Sequence, residues 1–217
     1  MGINRRIDHT LLKPESTEEQ IKKLCQEAAD YKFFSVCVQP CWIELCKDLL
    51  QDQEVKIATV IGFPLGANTL ETKIFEAKDA IKKGADEIDM VINIGALKSG
   101  KEDLVKKEIQ EIKEAIGDHV LKVIIETCLL TKEEIARASQ LVVEAGGDFV
   151  KTSTGFSTGG ALLEDVKLIK ETVKDKAYIK ASGGIRDYKT AKAMIEAGAD
   201  RLGVSAGIAI AEGEKNA

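Results

Sequence analysis

The chain has 217 residues, 44% of them hydrophobic and 31% charged, enough to bury one sizeable core. Its formal net charge is -5, and Lys and Arg are interleaved with Asp and Glu, which argues against a nucleic-acid or anionic-membrane surface. No apolar run reaches the roughly 18 residues of a membrane span.

Residues 1–6 carry no hydrophobic leader stretch, and Arg6 stands where a myristoylation signal needs Ser or Thr. A cytoplasmic protein is expected. Cys25, Cys37, Cys41, Cys46 and Cys128 include no Cys-x-x-Cys pair, so reduced thiols are expected, with neither a disulfide framework nor a zinc site.

In chain order, residues 6–10 read as the first β-branched strand, followed by a helical stripe of Ile21, Leu24, Cys25 and Ala28 behind a Ser16/Glu19 capping-box spacing. Residues 33–38 form the second run, and Pro40 suits a first helical turn. The third run, 56–61, precedes Asn68 as a cap and the stripe Leu70, Ile74, Ala77, Ile81. The fourth, 87–92, precedes Val105, Ile109, Ile112 and Ile116. The fifth, 121–126, leads to a Thr131/Glu134 capping box and the stripe Ile135, Ala138, Val142, Ala145. The sixth, 149–153, precedes Leu162, Val166, Ile169 and Val173, and runs at 178–181 and 201–205 complete the series. Strand and helix signals in alternation predict βα units on a parallel sheet. At about 27 residues per unit they fit an α/β fold of the (β/α)8 TIM-barrel type, one domain over 1–217. A doubly wound open sheet uses the same elements and stays open as the rival.

A repeat favours the barrel. Gly84-Ala85-Asp86, Gly146-Gly147-Asp148 and Gly198-Ala199-Asp200 each precede a strand, at intervals of two units, which makes these strands 4, 6 and 8. Alternate strands of such a barrel fill the same interior layer, so Asp89, Lys151 and Gly203, each five residues beyond its glycine, are expected at one level.

Lys151 in Phe149-Val150-Lys151-Thr152-Ser153 and Lys180 in Tyr178-Ile179-Lys180-Ala181-Ser182 sit within apolar strands. Alternation turns Val150 and Ile179 toward the helices and both lysines into the barrel. An interior salt bridge to Asp89 or Glu126 is the plain explanation for one such lysine. Two on adjacent strands suggest chemistry, because an ammonium neighbour about 4 Å away depresses an amine's pKa by roughly three units at an effective dielectric near 20. Asp89 and Asp8 are the carboxylates placed to relay protons. His9 reads as a packing residue and His119 as part of a polar turn. The loops at Ser153-Thr154-Gly155, Ser182-Gly183-Gly184-Ile185-Arg186 and Gly203-Val204-Ser205 can turn backbone N–H groups toward an anion, with Ser205 opening a short helix. A phosphorylated substrate is favoured.

The motifs Ile7-Asp8-His9-Thr10-Leu11-Leu12, Ser35-Val36-Cys37-Val38, Ile61-Gly62-Phe63-Pro64-Leu65-Gly66, Glu87-Ile88-Asp89-Met90, Phe149-Val150-Lys151-Thr152-Ser153-Thr154-Gly155 and Ile179-Lys180-Ala181-Ser182-Gly183-Gly184-Ile185-Arg186 resemble the deoxyribose-phosphate aldolase family over nearly the whole chain. The resemblance implies a class I aldolase. It would reversibly cleave 2-deoxy-D-ribose 5-phosphate to D-glyceraldehyde 3-phosphate and acetaldehyde, with no metal and no cofactor. Lys151 would form the imine, Lys180 would perturb its pKa, Asp89 would move the proton and Asp8 would support the network. Thr154, Gly155, Gly183, Gly184, Arg186, Gly203 and Ser205 would bind substrate or its phosphate, with Cys37 lining the pocket. Partners would be the sugar phosphate and acetaldehyde, with no nucleic acid or membrane; a homo-oligomer stays open. Phe156 and Ala206 depart from relatives that carry Lys and Ser there, which shifts phosphate contacts toward backbone N–H groups, Ser205 and Arg186. The tail ends Glu214-Lys215-Asn216-Ala217, without the tyrosine some relatives have. The alternatives are another sugar-phosphate aldolase, a pyridoxal-phosphate barrel enzyme, or a non-catalytic sugar-phosphate-binding barrel.

Overall fold

A computed structural model describes residues 2–216; Met1 and Ala217, the ends of the expected 1–217 domain, lie outside the described residues. Eight parallel strands, β1 (Ile7–Leu11), β2 (Ser35–Val38), β3 (Lys56–Ile61), β4 (Glu87–Val91), β5 (Val120–Ile124), β6 (Phe149–Lys151), β7 (Tyr178–Ser182) and β8 (Arg201–Val204), follow one another round a closed barrel. All eight predicted runs are strands. Pairing of Ile7 in β1 with Leu202 in β8 closes the ring and removes the open-sheet rival.

Nine α-helices lie among the described residues: α1 (Glu18–Asp30), α2 (Ile43–Leu50), α3 (Leu70–Lys83), α4 (Ile94–Lys98), α5 (Glu102–Ile116), α6 (Lys132–Glu144), α7 (Leu163–Val173), α8 (Tyr188–Glu196) and α9 (Gly207–Lys215). The five predicted stripes fall on α1, α3, α5, α6 and α7, except that Ala145 is the C-cap of α6, and Leu162 precedes α7 as its N-cap and is exposed. The Thr131/Glu134 capping box is formed, but at α1 the box is Thr17/Gln20, one residue past the Ser16/Glu19 spacing, and Thr69 rather than Asn68 caps α3. Ser205 does not open α9, which begins at Gly207 behind Ala206.

The Gly-x-Asp repeat has a backbone purpose. Asp86, Asp148 and Asp200 each accept the N–H that opens the preceding strand's ladder, from Ile57, Leu121 and Ile179, at 2.8, 2.8 and 2.9 Å. Gly84 and Gly198, at φ 114° and 117°, turn the chain from helix to strand in a region closed to most other residues.

The expected level also forms. Asp89 pairs with Lys122, which pairs with Phe149, two residues short of Lys151; the same two-residue climb leads from Lys151 to Gly203, then to Cys37, and back to Asp89. This is the stagger of about eight residues that the barrel type requires. Cys37, Asp89, Lys151 and Gly203 therefore share one layer, and Asp8, Ala58, Lys122 and Lys180 fill the layer beneath. Outside the strands, apolar faces such as Val150 and Ile179 pack in one continuous cluster against the helices. A buried pair, Lys73 to Glu108 at 2.6 Å, fastens α3 and α5 to the end of β4, since Lys73 also donates to the Val91 carbonyl at 2.8 Å and Glu108 accepts the Asn93 N–H at 3.0 Å.

Candidate active site

Asp89 is fully buried at the centre of the barrel's charged interior. Its Oδ2 accepts from Lys151 Nζ and Lys180 Nζ, each at 2.7 Å, while its Oδ1 accepts from Lys122 Nζ at 2.8 Å. Lys180 reaches Asp8 Oδ2 at 2.5 Å, and Lys122 reaches Glu87 Oε2 at 2.6 Å. Arg201 completes the lower end, bonded to Asp8 and to Glu87 with its guanidinium 3.5 Å from the Phe34 ring centre.

Burial penalises the charged form of every one of these lysines, and their neighbours then separate them. In Lys151 burial lowers the pKa, Asp89 opposes it, Lys180 adds to the lowering, and the amine ends below the ordinary lysine value. In Lys180 burial is outweighed by Asp8 and Asp89, and the pKa rises. Lys122 also rises, because Asp89 and Glu87 overcome its burial. Burial would raise Asp89, yet Lys122, Lys151 and Lys180 hold it well below the carboxylate range. For Asp8, Arg201 and Lys180 likewise overcome burial, and its pKa falls.

The structure corrects one element of the sequence reading. Two bare ammonium groups do not face each other: an Asp89 oxygen lies between Lys151 and Lys180, and burial contributes more to the lowered Lys151 pKa than Lys180 does. Glu126 is not a partner of either lysine. It stands at φ 56°, ψ 66°, and its carboxylate accepts the Thr154 N–H at 3.2 Å and the Thr154 hydroxyl. Thr154 Oγ1 in turn accepts the Phe156 N–H at 3.0 Å. A non-glycine residue in this region costs of order 1–3 kcal/mol, so the contacts that hold Glu126 fix the turn after β6.

A cleft of about 400 Å³ opens where β1, β6, β7 and β8 end. Lys151 lines it, and Lys180 and Lys122 do not. Thr154, Gly155, Gly183, Gly184, Arg186, Gly203 and Ser205 all line the same cleft, as do Thr10 and Lys13, which the sequence reading did not single out. Gly183 and Gly184, at φ 88° and 80°, make the left-handed turn that brings backbone to the rim. Gly203 is bare for a steric reason: a Cβ there would lie 2.4 Å from Ser182 Oγ and 2.9 Å from Lys180 Cε. Cys37 shares the Asp89 layer but is buried in a small cluster with Leu12, Ala58 and Val60, not on the cleft wall. Burial pushes its thiol pKa up. His9 packs on Phe33 and bonds Glu27 at 2.7 Å, and His119 lies in the turn before β5; neither reaches the cleft.

The closed barrel, with its cleft at the carboxyl ends of the strands, defines a barrel enzyme. Residues 5–213 match the family described as DeoC/LacD family aldolase. The chain belongs to that family, and it is an aldolase. A protein of Clostridium tetani named deoxyribose-phosphate aldolase is 62% identical over 216 residues, covering 99% of this chain and all of the relative (100%). The one named so in Thermoanaerobacter sp. (strain X514) is 60% identical over 98% of this chain and 96% of its own length. Among solved structures, the tetrameric deoxyribose phosphate aldolase from Aeropyrum pernix superposes with a TM-score of 0.90 at 35% identity, covering 98% of this chain and 91% of that one. No described helix is long and apolar enough to cross a membrane.

Proposed function

We propose that this aldolase reversibly cleaves 2-deoxy-D-ribose 5-phosphate to D-glyceraldehyde 3-phosphate and acetaldehyde through a Schiff base on Lys151. The observation that carries the reading is that Lys151, alone among the lysines bonded to Asp89, reaches the cleft and has a lowered pKa. The names of the relatives at about 60% identity support the substrate.

The uncharged Lys151 amine adds to the aldehyde carbon of the open-chain sugar, and loss of water gives an iminium ion. A base takes the proton of the C3 hydroxyl, the C2–C3 bond breaks, and its electrons pass to the iminium nitrogen, leaving an enamine on Lys151 and releasing glyceraldehyde 3-phosphate. Protonation of the enamine carbon and hydrolysis free acetaldehyde. Because the lysine nitrogen is the electron sink, the reading needs no metal or cofactor. Asp89 and Lys180 are the proton-handling pair, held together at 2.7 Å beside the amine, with Asp8 orienting Lys180. Gly183, Gly184, Gly155 and Ser205, helped by Arg186 and Lys13, receive the phosphate. The protein works as one barrel unit in the cytoplasm. The tetrameric relative supports assembly from copies of the chain.

With 2-deoxy-D-ribose 5-phosphate, the purified protein is expected to release acetaldehyde and glyceraldehyde 3-phosphate in equal amounts. Acetaldehyde with borohydride is expected to leave an ethyl group on the tryptic peptide that contains Lys151. An adduct on Lys180 instead would reverse the two roles, and cleavage of ketose phosphates alone would replace the substrate.

A further inference from the structure

Lys122 is fully buried, does not line the cleft, and has no part in the chemistry above, although it belongs to the same ionic cluster. Its meaning lies in the charge inventory of the barrel interior. The ionisable groups in the layer of Lys151 and the layers beneath it are Asp8 from β1, Cys37 from β2, Glu87 and Asp89 from β4, Lys122 from β5, Lys180 from β7 and Arg201 from β8, with only Ala58 from β3; Glu126, also buried, lies beyond the end of β5, above these layers, where the Thr154 N–H and hydroxyl bond its carboxylate. Cys37 is an uncharged thiol, held so by burial. Three carboxylates thus face three cations before Lys151 is counted. A guanidinium cannot give up its proton, and an unbalanced charge inside a protein is costly. Within these layers the charges balance when Lys151 is a free amine.

We propose that Lys122 is a positioning residue for the aldol reaction: by occupying Asp89 Oδ1 and balancing Glu87, it makes Lys151 the surplus cation of the barrel and leaves that amine uncharged. Lys180 could not do this alone, because Asp8 and Asp89 both bond it. Without Lys122, Asp89 would have a charge to spare for Lys151. The inference rests on Lys151 being the amine that reacts, and it adds how that amine is selected among three buried lysines.

The test uses two variants whose expected effects have opposite signs. The probe is acetaldehyde trapped by cyanoborohydride, with the rate of adduct formation at Lys151 followed against pH and normalised to exposed lysines in the same digest. Lys122→Met leaves one carboxylate in excess, favours the ammonium form, and is expected to raise the midpoint by about one pH unit or more. Glu87→Gln removes a carboxylate and is expected to lower the midpoint. The double variant restores the balance, and its midpoint is expected to return close to the wild-type value. An unchanged midpoint in Lys122→Met, or a shift of both single variants in the same direction, overturns the proposal. Should Lys122→Met fail to fold, the sign of the Glu87→Gln shift still decides. Absence of any Lys151 adduct in the wild-type protein would instead defeat the functional reading itself, so the two failures are distinguishable.

Discussion

Lys151→Met is expected to lower aldol cleavage by about 10⁴-fold or more while leaving the protein folded. The loss follows from removing the cleft amine whose pKa burial lowers, since residual catalysis from positioning alone is small compared with that of an activated nucleophile. The retained fold follows from charge. Methionine has nearly the length of lysine and no charge, so it reproduces the neutral amine that the interior already accommodates, and Asp89 keeps its bonds to Lys122 and Lys180. Steady-state kinetics and thermal unfolding of the one variant check both halves. Turnover within about tenfold of wild type would place the nucleophile elsewhere.

Asp89→Asn is expected to damage both activity and stability. One fully buried carboxylate bonds the Lys122 and Lys180 ammonium groups and the Lys151 amine, and an amide can accept from them but cannot offset the charge of the two cations. Removing one partner of a buried ionic group typically costs about 3–5 kcal/mol, and a carboxylate shared by three lysines belongs at the upper end of that range. Cleavage is expected to fall by about 10²–10⁴-fold, because the group that handles protons beside Lys151 is lost. Denaturant unfolding of the variant reads the stability half. A midpoint equal to wild type would mean that the cluster does not carry the charge balance argued for it.

Much of the barrel can be read from the sequence because each strand is covered by helices outside and side chains inside, which leaves short, nearly continuous β-branched runs. The level shared by Asp89, Lys151 and Gly203 was legible through the Gly-x-Asp entries, whose aspartates recur because each secures the strand before it. Helix starts were less sharp. Ser16/Glu19 and Thr17/Gln20 offer the same capping chemistry one residue apart, and only packing chooses between them. The five-residue α4 is too short to show a period, and α8 buries little beyond Ala191 and Met194, so neither gave a stripe.

In the site, a lysine flanked by apolar residues on a strand was signal enough for Lys151 and Lys180. Lys122, in Leu121-Lys122-Val123, has the same signature, and Arg201 and Glu87 open their strands in the same way. Their importance depends on the barrel's stagger, which decides that Lys122 lies beneath Asp89, and no local pattern encodes that register. The same stagger puts the Asp89 oxygen between the two lysines, which is why an estimate from two ammonium groups alone named the wrong main cause. Nothing in the sequence marks Glu126 as left-handed, because glutamate does not ordinarily adopt that conformation.

The central claim is most directly tested by competitive acetylation of the wild-type protein with acetic anhydride over a range of pH, reading Lys151 against the exposed lysines by mass spectrometry. Only the free amine reacts, so each lysine's rate falls off below its own pKa. Burial, reinforced by Lys180, lowers that of Lys151. Its rate is therefore predicted to persist to lower pH than that of any exposed lysine, with a midpoint clearly under the usual value near 10.4. A Lys151 midpoint coinciding with those of the surface lysines would contradict the account.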